Sequence, residues 1–477
     1  MRKTKIVCTI GPASETKEIL RELMKTGMNV ARINFSHGSY EEQEERINNI
    51  KEVREELNLP VALLMDTKGP EIRIGKIDNN CTTLVNGQEF TLVNEDILGD
   101  CEKVSITYKE LYKEVEVGSK ILINDGIIEL KVKQIIDQDI VCQVINGGQI
   151  SNRKSMNVPG IKLHLPSLTE NDISDIKYCV KAGFDFIAAS FIRRAQDVLD
   201  IRKVLKEDGG EGLKIISKIE NREGIDNFDE ILEVSDGIMI ARGDLGVEIP
   251  MYEVPILQKK FIHKCNMAGK PVITATQMLE SMVNNGRPTR AEVSDVANAI
   301  FDMTSAVMLS AESATGKYPV ECLRTMAQIA GQTEECINYW NMFIERTYKI
   351  RKEDYENNIA RSICLTAMTS DAKAIFAYTH TGNSCKKLSG FLPGCPIYAV
   401  VENPQTHRQL GLSWGVYPKL YGEHKSIDQL VLDSITDLKN KNKVKKGDII
   451  VISGGSEILH ADGTFEVNKT IGGILKV

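Results

Sequence analysis

Apolar segments rich in β-branched residues alternate eight times with helical segments, and this alternation limits the fold more than any other feature. The eight apolar segments are residues 4–10, 29–36, 61–67, 184–191, 213–220, 236–244, 271–276 and 305–312. Parallel strands that helices cover on both faces have this composition. Eight strand–helix units are the number that closes a parallel barrel, and no glycine-rich dinucleotide motif follows the first strand. The pattern therefore favours an α/β fold of the (β/α)8, or TIM, barrel type over an open doubly wound sheet.

Residues typical of helix ends separate these strands. Ser14 is the predicted N-cap of the first helix, which ends at Gly27. Thr169 and Gly183 have the same predicted roles in the helix before the fourth strand. These start and stop signals indicate that the segments between the strands are separate helices.

Two regions depart from this alternation. Residues 71–167 carry short alternating runs with turn pairs at Asn86-Gly87, Asp125-Gly126 and Gly147-Gly148, which predict antiparallel hairpins. We interpret this region as a β-barrel lid domain inserted after the third strand, over the mouth of a barrel formed by residues 1–70 and 168–344. Residues 345–477 return to strand–helix alternation and predict a second, smaller α/β domain.

The composition excludes several classes of function. The chain has 477 residues and a formal net charge of −7, whereas proteins that bind nucleic acid or anionic membranes are usually basic. The eleven cysteines include no CxxC pair and the seven histidines show no ligand spacing, so we expect free thiols and no zinc site. No segment has the pattern of a signal peptide or a membrane span, so the expected location is the cytoplasm.

Charged residues stand at the carboxyl ends of the predicted strands, where barrel enzymes carry their chemistry. Glu220 and Asp244 end the fifth and sixth strands and would repel each other, so a divalent cation such as Mg²⁺ is expected between them. Lys218 shares a face with Glu220 and would point at the same region. This grouping suits phosphoryl transfer, which needs spread negative charge to be held and neutralised. The alternative is a buried Lys218–Glu220 ion pair with a structural role.

Two further motifs carry weaker signals. Gly243, with Asp244 at the end of the sixth strand, allows the backbone to approach a carboxylate or phosphate, and no Walker A sequence is present. Neutral oxygens with one carboxylate suit a monovalent cation, and such a set follows the second and third strands at Asn34, Ser36, Asp66 and Thr67. Asn and Ser at strand ends also serve as simple loop caps, which is the alternative interpretation.

Longer motifs identify a family. The sequences TKIVCTIGPAS (4–14), ARINFSHG (31–38), MDTKGPEIR (65–73), SKIENREG (217–224), MIARGDLGVEIP (239–250) and TATQMLESM (274–282), followed by RPTRAEVSDVANAI (287–300), resemble pyruvate kinase. The resemblance covers essentially the whole chain, with the motifs in the family's order. It implies transfer of the phosphoryl group of phosphoenolpyruvate to ADP, giving pyruvate and ATP, with protonation of the enolate after transfer.

The resemblance also implies roles for individual residues. Lys218 and Arg32 contact the transferred phosphoryl group, and Thr276 lies on the face where the enolate is protonated. The backbone amides of Gly243 and Asp244 hold the substrate carboxylate, and the Asp244 carboxylate binds Mg²⁺ together with Glu220. The residues implied for K⁺ are Asn34, Ser36, Asp66 and Thr67, and those implied on the nucleotide side are Asn34, Phe35, Ser36, His37, Arg73 and Lys154. Glu71, where some members carry Lys, implies the K⁺-dependent subtype.

The resemblance is less close in the last strand of the barrel and in the C-terminal domain. The family pattern DGTDAVMLSGETA reads DMTSAVMLSAESA here, and the departures at Met303, Ser305, Ala311 and Ser313 put packing or allosteric transmission in doubt. An effector phosphate is expected at Thr379, Thr381, Gly382, Asn383 and Ser384. The later effector loop, residues 455–473, matches the fructose-bisphosphate form poorly, so the expected effector is a sugar phosphate, AMP or none. The family also implies a homotetramer, and the expected subtype is the bacterial one without an extra C-terminal domain.

Two other functions remain open from the sequence. A Mg²⁺-dependent lyase or aldolase on the same barrel would use Glu220 and Asp244 to hold an enolate without a nucleotide. A catalytically silent metabolite sensor would use only the loop at residues 379–384. The lid domain and Arg73 favour the kinase over the lyase, and the complete set of residues at the barrel mouth argues against the sensor.

Overall fold

The structure of the protein, a computed structural model, describes residues 1–36, 38–347, 354–421, 427–454, 458–459, 465–466 and 471–476. Eight parallel strands form a closed barrel in which each strand pairs with its neighbours in chain order. They are β1 (Lys5–Thr9), β2 (Val30–Asn34), β3 (Ala62–Asp66), β4 (Phe186–Ala189), β5 (Lys214–Ile219), β6 (Gly237–Ala241), β7 (Val272–Ala275) and β8 (Ala306–Leu309). The predicted TIM barrel is confirmed.

The barrel has apolar side chains on both surfaces of its sheet, as parallel strands between two layers require. Inside it, buried residues such as Leu64, Ile216 and Met239 fill the interior. Outside it, a second buried cluster joins the strands to the surrounding helices. The α-helices of the described chain are Lys17–Thr26, Tyr40–Glu56, Glu170–Lys181, Ala195–Glu207, Arg222–Asp226, Phe228–Val234, Arg242–Glu248, Val254–Ala268, Arg290–Phe301, Ala311–Ala314, Pro319–Glu335, Tyr339–Thr347, Tyr355–Thr369, Asn383–Gly390, Pro404–Gln409 and Ile427–Asn440.

The first helix begins two residues later than the sequence predicts. Thr16 is its N-cap, and its hydroxyl accepts a hydrogen bond from the Ile19 amide at 3.4 Å. The Ser14 hydroxyl is used in the preceding turn, where it accepts from the Gly11 amide at 3.2 Å. The Thr169 cap is confirmed, because its hydroxyl accepts from the Asp172 amide at 3.1 Å.

A separate β region is inserted between β3 and β4, and its strands have their own buried core. Seven of the strands form one sheet, in the order Ile72–Arg73, Ser155–Asn157, Lys120–Ile123, Ile128–Ile136, Asp139–Asn146, Glu89–Val93 and Lys103–Ser105. We call this sheet the lid sheet. Its pairs are antiparallel apart from the last, which is parallel. Strands Cys81–Leu84 and Gly148–Ser151 pair with each other outside it.

Only one of the three predicted hairpin turns joins paired strands. Asp125-Gly126 connects two neighbours of the lid sheet, with Asp125 and Gly126 both at positive φ. Asn86-Gly87 and Gly147-Gly148 instead connect strands that belong to different sheets. These two predictions are wrong because the local turn residues fix the bend, whereas strand pairing depends on partners distant in the sequence.

Hydrogen bonds join both the lid sheet and the linker that follows it to the barrel. The Asn157 side-chain amide donates to Glu248 Oε1 at 2.9 Å, at the end of the helix that follows β6. The Arg193 guanidinium, after β4, donates to the carbonyl oxygens of Leu163 at 2.9 Å and Leu165 at 2.6 Å in the linker that returns to the barrel. These contacts lie on the side of the barrel where the strands end.

The C-terminal region contains a five-stranded sheet in the order Val416–Leu420, Ile397–Val401, Ala374–Tyr378, Ile449–Gly454 and Ile471–Lys476. Its first three pairs are parallel and the last is antiparallel. A short antiparallel pair joins Ile458–Leu459 to Phe465–Glu466. The predicted C-terminal α/β unit is confirmed, while the predicted domain limits at 70/71, 167/168 and 344/345 stay predictions. Within the described ranges, no helix is both long and apolar enough to cross a membrane.

Three of the departures near β8 fit into the packing. The Ser305 hydroxyl accepts from the Val272 amide at 3.1 Å, and the Ser313 hydroxyl donates to the Thr9 carbonyl at 2.8 Å. Met303 is fully buried against Leu392 and Trp414 of the C-terminal region, although its φ of 72° lies in the left-handed region. The side chains at these three positions therefore make contacts within the barrel and between the barrel and the C-terminal region.

Replacing Met303 by Gly is expected to destabilise the protein despite relieving this backbone strain. A left-handed conformation costs a residue with a side chain about 1–2 kcal/mol, whereas removing a buried Met side chain costs about 2–5 kcal/mol. Met303→Ala loses the same packing and keeps the strain, so it should be less stable than Met303→Gly. Urea denaturation followed by tryptophan fluorescence would test the order wild type, Gly, Ala. A glycine variant more stable than wild type would show that strain outweighs packing.

Candidate active site

A cavity of about 360 Å³ opens at the carboxyl ends of the barrel strands, within the size range of ligand pockets. Most of its apolar lining comes from the strands themselves, such as Met239 and Met308. Six residues predicted from the sequence line it: Arg32, Asn34, Asp66, Lys218, Asp244 and Thr276. The structure thus brings together side chains from five different strand ends.

Lys218 lies at the centre of a buried set of polar contacts. Its ammonium nitrogen is 3.0 Å from Asp66 Oδ1, 2.8 Å from Ser190 Oγ and 3.0 Å from Glu220 Oε1. Three acceptors match the three protons of an ammonium group. Burial alone would lower the pKa of Lys218, but the carboxylates of Asp66 and Glu220 raise it above the ordinary value. The side chain is therefore a fixed positive charge at the cavity.

Asp66 joins this cation to a second one. Its Oδ2 accepts from Arg32 Nε at 2.7 Å, and the Arg32 guanidinium also donates to Thr9 Oγ1 at 2.8 Å. Burial would raise the pKa of the Asp66 carboxyl, but Arg32 and Lys218 hold that pKa below its ordinary value. Asp66 therefore stays ionised and holds two cations at the wall of the same cavity, where they can face one anionic group.

Thr276 is held in an unusual backbone conformation. Its φ is 69°, which is a genuine outlier for a β-branched residue. Its hydroxyl accepts from the Gly243 amide at 2.8 Å, and the Arg242 guanidinium donates to its carbonyl at 2.7 Å. An ion pair with Asp295 at 2.7 Å in turn fixes Arg242. Strain held by several contacts in this way is typical of functional sites, and here it keeps the Thr276 hydroxyl at the cavity wall.

Two buried carboxylates stand where the sequence predicts a divalent cation. Burial raises the pKa of both Glu220 and Asp244, which means that each needs a positive partner to stay ionised. Glu220 pairs with Lys218 and accepts from the Phe191 amide at 2.5 Å, while no cationic side chain of the described residues lies within ion-pair distance of Asp244. The described chain contains no group of three or more His, Cys, Asp or Glu side chains arranged for a metal. The two carboxylates fit a Mg²⁺ ion that takes its other ligands from water and substrate.

The neutral oxygens predicted to bind a monovalent cation also come together. Asn34 and Asp66 are paired across β2 and β3. The Asn34 side-chain oxygen accepts from the Ser36 amide at 3.0 Å, and the Thr67 carbonyl accepts from the Ser190 hydroxyl at 2.6 Å. One carboxylate among amide, hydroxyl and carbonyl oxygens fits a monovalent cation.

The residues predicted on the nucleotide side lie mostly outside this cavity. Arg73 pairs with Glu71 at 2.7 Å, and Lys154 is beside it, since the Lys154 carbonyl accepts from the Ile74 amide at 3.0 Å. The ring of Phe35 packs among the helices outside the barrel, 6.0 Å from that of Phe184. His37 lies outside the described residues. These assignments stay predictions.

Two polar residues of the site escaped the sequence analysis. Ser190 follows β4 and contacts Lys218, and Thr9 ends β1 and contacts Arg32. The sequence predicts candidates for the site from polar residues at the carboxyl ends of the other six strands. The same rule would have found Ser190 and Thr9, because both stand at carboxyl ends of strands. Single Ser and Thr residues at strand ends are common loop caps, so the rule alone does not separate the two roles.

The predicted effector loop lies between strand Ala374–Tyr378 and helix Asn383–Gly390. The Thr379 hydroxyl accepts from the Gly382 amide at 2.9 Å, and Gly382 has a φ of 84°. The Thr381 hydroxyl accepts from the Asn383 amide at 3.5 Å. The loop is thus compact and begins a helix, and its effector role stays a prediction. The later effector loop, residues 455–473, lies largely outside the described residues.

Comparisons with known proteins agree with this geometry. The family model described as pyruvate kinase, barrel domain, matches residues 1–323, and the pyruvate kinase alpha/beta domain model matches residues 357–467. A pyruvate kinase of Clostridium acetobutylicum is 49% identical over 95% of this chain and 96% of its own length. One of Geobacillus stearothermophilus is 50% identical over 95% of this chain and 78% of its own length. The crystal structure of a pyruvate kinase from Cryptosporidium parvum is 38% identical and superimposes with a TM-score of 0.93. The match covers 100% of this chain and 96% of that chain.

A barrel mouth that gathers fixed cations and paired carboxylates beneath an inserted lid suits phosphoryl transfer, and the comparisons show that the protein is a phosphotransferase. The chain belongs to the pyruvate kinase family, and its activity is the transfer of a phosphoryl group from phosphoenolpyruvate to ADP. This family depends on metal ions. The lyase alternative is not favoured.

Proposed function

We propose that the cavity at the barrel mouth binds phosphoenolpyruvate with its phosphoryl group between Arg32 and Lys218. The observation that carries this assignment is the fixed position of both cations on Asp66, at 2.7 Å and 3.0 Å. Preorganised charges of this kind stabilise a phosphoryl group as its negative charge spreads during transfer. The backbone amides of Gly243 and Asp244 are proposed to hold the substrate carboxylate. The Gly243 amide also donates to Thr276 Oγ1 at 2.8 Å and would be shared between the two acceptors.

The proposed reaction proceeds in two parts. A terminal oxygen of the ADP β-phosphate attacks phosphorus, the bond from phosphorus to the enol oxygen breaks, and its electron pair remains as an enolate beside Lys218. A proton then adds to the methylene carbon and gives pyruvate. Thr276 lines the cavity and its hydroxyl is fixed by Gly243, so it is positioned to orient the proton donor on that face. Arg73 and Lys154 are proposed to hold the nucleotide from the lid side, with Asn34, Phe35, Ser36 and His37.

The proposed metal ions are Mg²⁺ at Glu220 and Asp244 and K⁺ at Asn34, Ser36, Asp66 and Thr67. Glu220 and Asp244 would hold Mg²⁺, which would supply positive charge to balance the carboxylates and the substrate's negative charge. The raised pKa values of Glu220 and Asp244 support a positive partner there. The oxygen set around Asp66 supports the monovalent site, and Glu71 supports dependence on K⁺ by resemblance to the family.

Regulation, assembly and location are proposed from the family. The loop at Thr379, Thr381, Gly382, Asn383 and Ser384 would bind the phosphate of a sugar phosphate or AMP, and the assembly would be a homotetramer. All eleven cysteines have free thiols, which agrees with a cytoplasmic location. Saturation curves for phosphoenolpyruvate, measured with and without each candidate effector, would test the proposed effector site.

The proposed function is tested by pyruvate formation from phosphoenolpyruvate and ADP, coupled to lactate dehydrogenase, in saturating Mg²⁺ and K⁺. We expect turnover to be lost when EDTA removes divalent ions and to return with added Mg²⁺, because Glu220 and Asp244 then regain their positive partner. Adding Ca²⁺ alone, which prefers more ligands and longer distances, should restore little activity. An inactive enzyme in Mg²⁺ and K⁺ would contradict the function, and full activity in EDTA would contradict the metal site.

A further inference from the structure

Ser190 links the two charged parts of the site, although neither the family motifs nor the sequence analysis gives it a role. It follows β4 and is 5% exposed. Its hydroxyl oxygen accepts from the Lys218 ammonium at 2.8 Å, and its own proton is directed to the Thr67 carbonyl at 2.6 Å. The hydroxyl proton is thus used in the short bond to Thr67, with Asp66 Oδ1 further away at 3.3 Å, and one of the two acceptor positions is used by Lys218.

The backbone around Ser190 leaves its side chain little freedom. The Ser190 amide donates to Thr67 Oγ1 at 3.0 Å, so the residue is bound to Thr67 twice. A Cβ added to Gly69 would lie 2.9 Å from Ser190 Cβ, which shows how closely the neighbouring backbone packs against it. The next residue, Phe191, has a φ of 56° and donates its amide to Glu220. The strand end therefore holds the hydroxyl at a fixed place between Lys218 and Thr67.

We propose that Ser190 is a positioning residue that holds the Lys218 ammonium in register with the Thr67 carbonyl. The inference rests on the proposed roles of Lys218 and of Thr67. Lys218 has three hydrogen-bond partners, and one of them, Glu220, is proposed to bind the divalent ion. When Glu220 binds that ion, one proton of the Lys218 ammonium becomes available for the phosphoryl group. Ser190 and Asp66 then keep the ammonium in place, and Ser190 is the one of the two that ties it to the Thr67 carbonyl proposed to bind the monovalent cation.

Ser190→Ala is therefore expected to affect turnover and cation binding together. A hydrogen bond to a charged group is worth roughly 10- to 100-fold, so kcat should fall by about that factor while the KM for phosphoenolpyruvate changes less than about threefold. Without the Ser190 hydroxyl, the Thr67 carbonyl loses the 2.6 Å bond that orients it, so the cation site around it is less ordered. K⁺ binding can be followed by the rise in melting temperature as K⁺ replaces tetramethylammonium chloride. The K⁺ concentration that gives half of the maximal rise (the K⁺ midpoint) should increase by about threefold or more in the variant.

Two variants make the test specific. Ser217→Ala removes a buried hydroxyl on the same strand as Lys218 that bonds Ser235 Oγ at 2.6 Å, and it should leave kcat and the K⁺ midpoint within about twofold. Ser190→Cys keeps the side-chain volume but is a weak donor and acceptor, so it should resemble Ser190→Ala. It also carries the test if the alanine variant does not fold.

The proposal is overturned if Ser190→Ala keeps wild-type turnover, if its K⁺ midpoint is unchanged, or if Ser190→Cys restores wild-type values. The last result would show that the site needs only volume at this position. Failure of the proposed function would give a different result from failure of the Ser190 proposal. An inactive wild-type enzyme contradicts the function, while the K⁺ midpoints of folded wild type and variants still report whether Ser190 acts on the Thr67 site.

Discussion

Lys218→Met is expected to lower kcat by about 100- to 1,000-fold, the loss seen when one preorganised electrostatic group is removed from a reaction centre. Lys218 is a fixed cation with three acceptors within 3.0 Å, so it needs no reorganisation when charge spreads onto the phosphoryl oxygens. Methionine has a similar length and no charge. The coupled assay at saturating substrates, with turnover divided by the concentration of folded enzyme, measures the effect.

Stability has to be separated from catalysis in this variant. Breaking a buried ion pair costs about 3–5 kcal/mol, because the remaining charges lose their partner. Arg32 still pairs with Asp66, and the Phe191 amide still donates to Glu220, so part of this cost is offset. A lower melting temperature is therefore expected, and assays should be made well below it.

Two further variants identify the cause of the lost turnover. Lys214→Met removes a lysine at the opposite end of β5, away from the cavity, and should keep kcat within about twofold. Lys218→Arg keeps the charge, but a planar guanidinium cannot place three donors as an ammonium does, so it should recover only part of the activity. A loss below tenfold for folded Lys218→Met would contradict the role of Lys218.

The buried ion pair and the metal site, which are alternatives in the sequence, are not exclusive in the structure. Lys218 lies in β5 and Glu220 directly follows its last residue, and the two side chains meet in an ion pair at 3.0 Å, as period two predicts. The same carboxylate is buried beside Asp244 and gains from a divalent ion. Spacing shows that two charges can meet, but it cannot show which partner each prefers when both are in reach.

Other features depend on contacts that no local pattern contains. Ser190 looks like an ordinary strand cap in the sequence, and its role is visible only when Lys218 and Thr67 are seen on either side of it. The positive φ of Thr276 depends on Arg242 and Asp295, which come from two other segments. Barrel strands were predictable because their apolar composition is repeated eight times, whereas these positions occur once.

Replacing K⁺ by tetramethylammonium at constant ionic strength is expected to lower kcat at least about tenfold, because the bulky cation cannot enter an oxygen site of this kind. Asp66 already has two cationic partners, so the ion is expected to act through the neutral oxygens of Asn34, Ser36 and Thr67 and add a third positive charge beside the phosphoryl group. A K⁺-dependent rise in melting temperature should accompany the effect on rate.

Glu71→Lys tests whether a lysine side chain can replace the positive charge of the monovalent cation. Glu71 and Asp244 line one cleft beneath the lid sheet, and Asp244 also lines the cavity that contains Asn34 and Asp66. A lysine at position 71 would therefore bring a positive charge towards that cavity, where the cation is proposed to supply one. This variant should retain activity in tetramethylammonium, with a raised KM for ADP because Arg73 loses its 2.7 Å partner. Glu71→Gln removes the same partner without adding a cation and should stay dependent on K⁺. Unchanged wild-type turnover in tetramethylammonium would contradict both the monovalent site around Asp66 and the role given to Glu71.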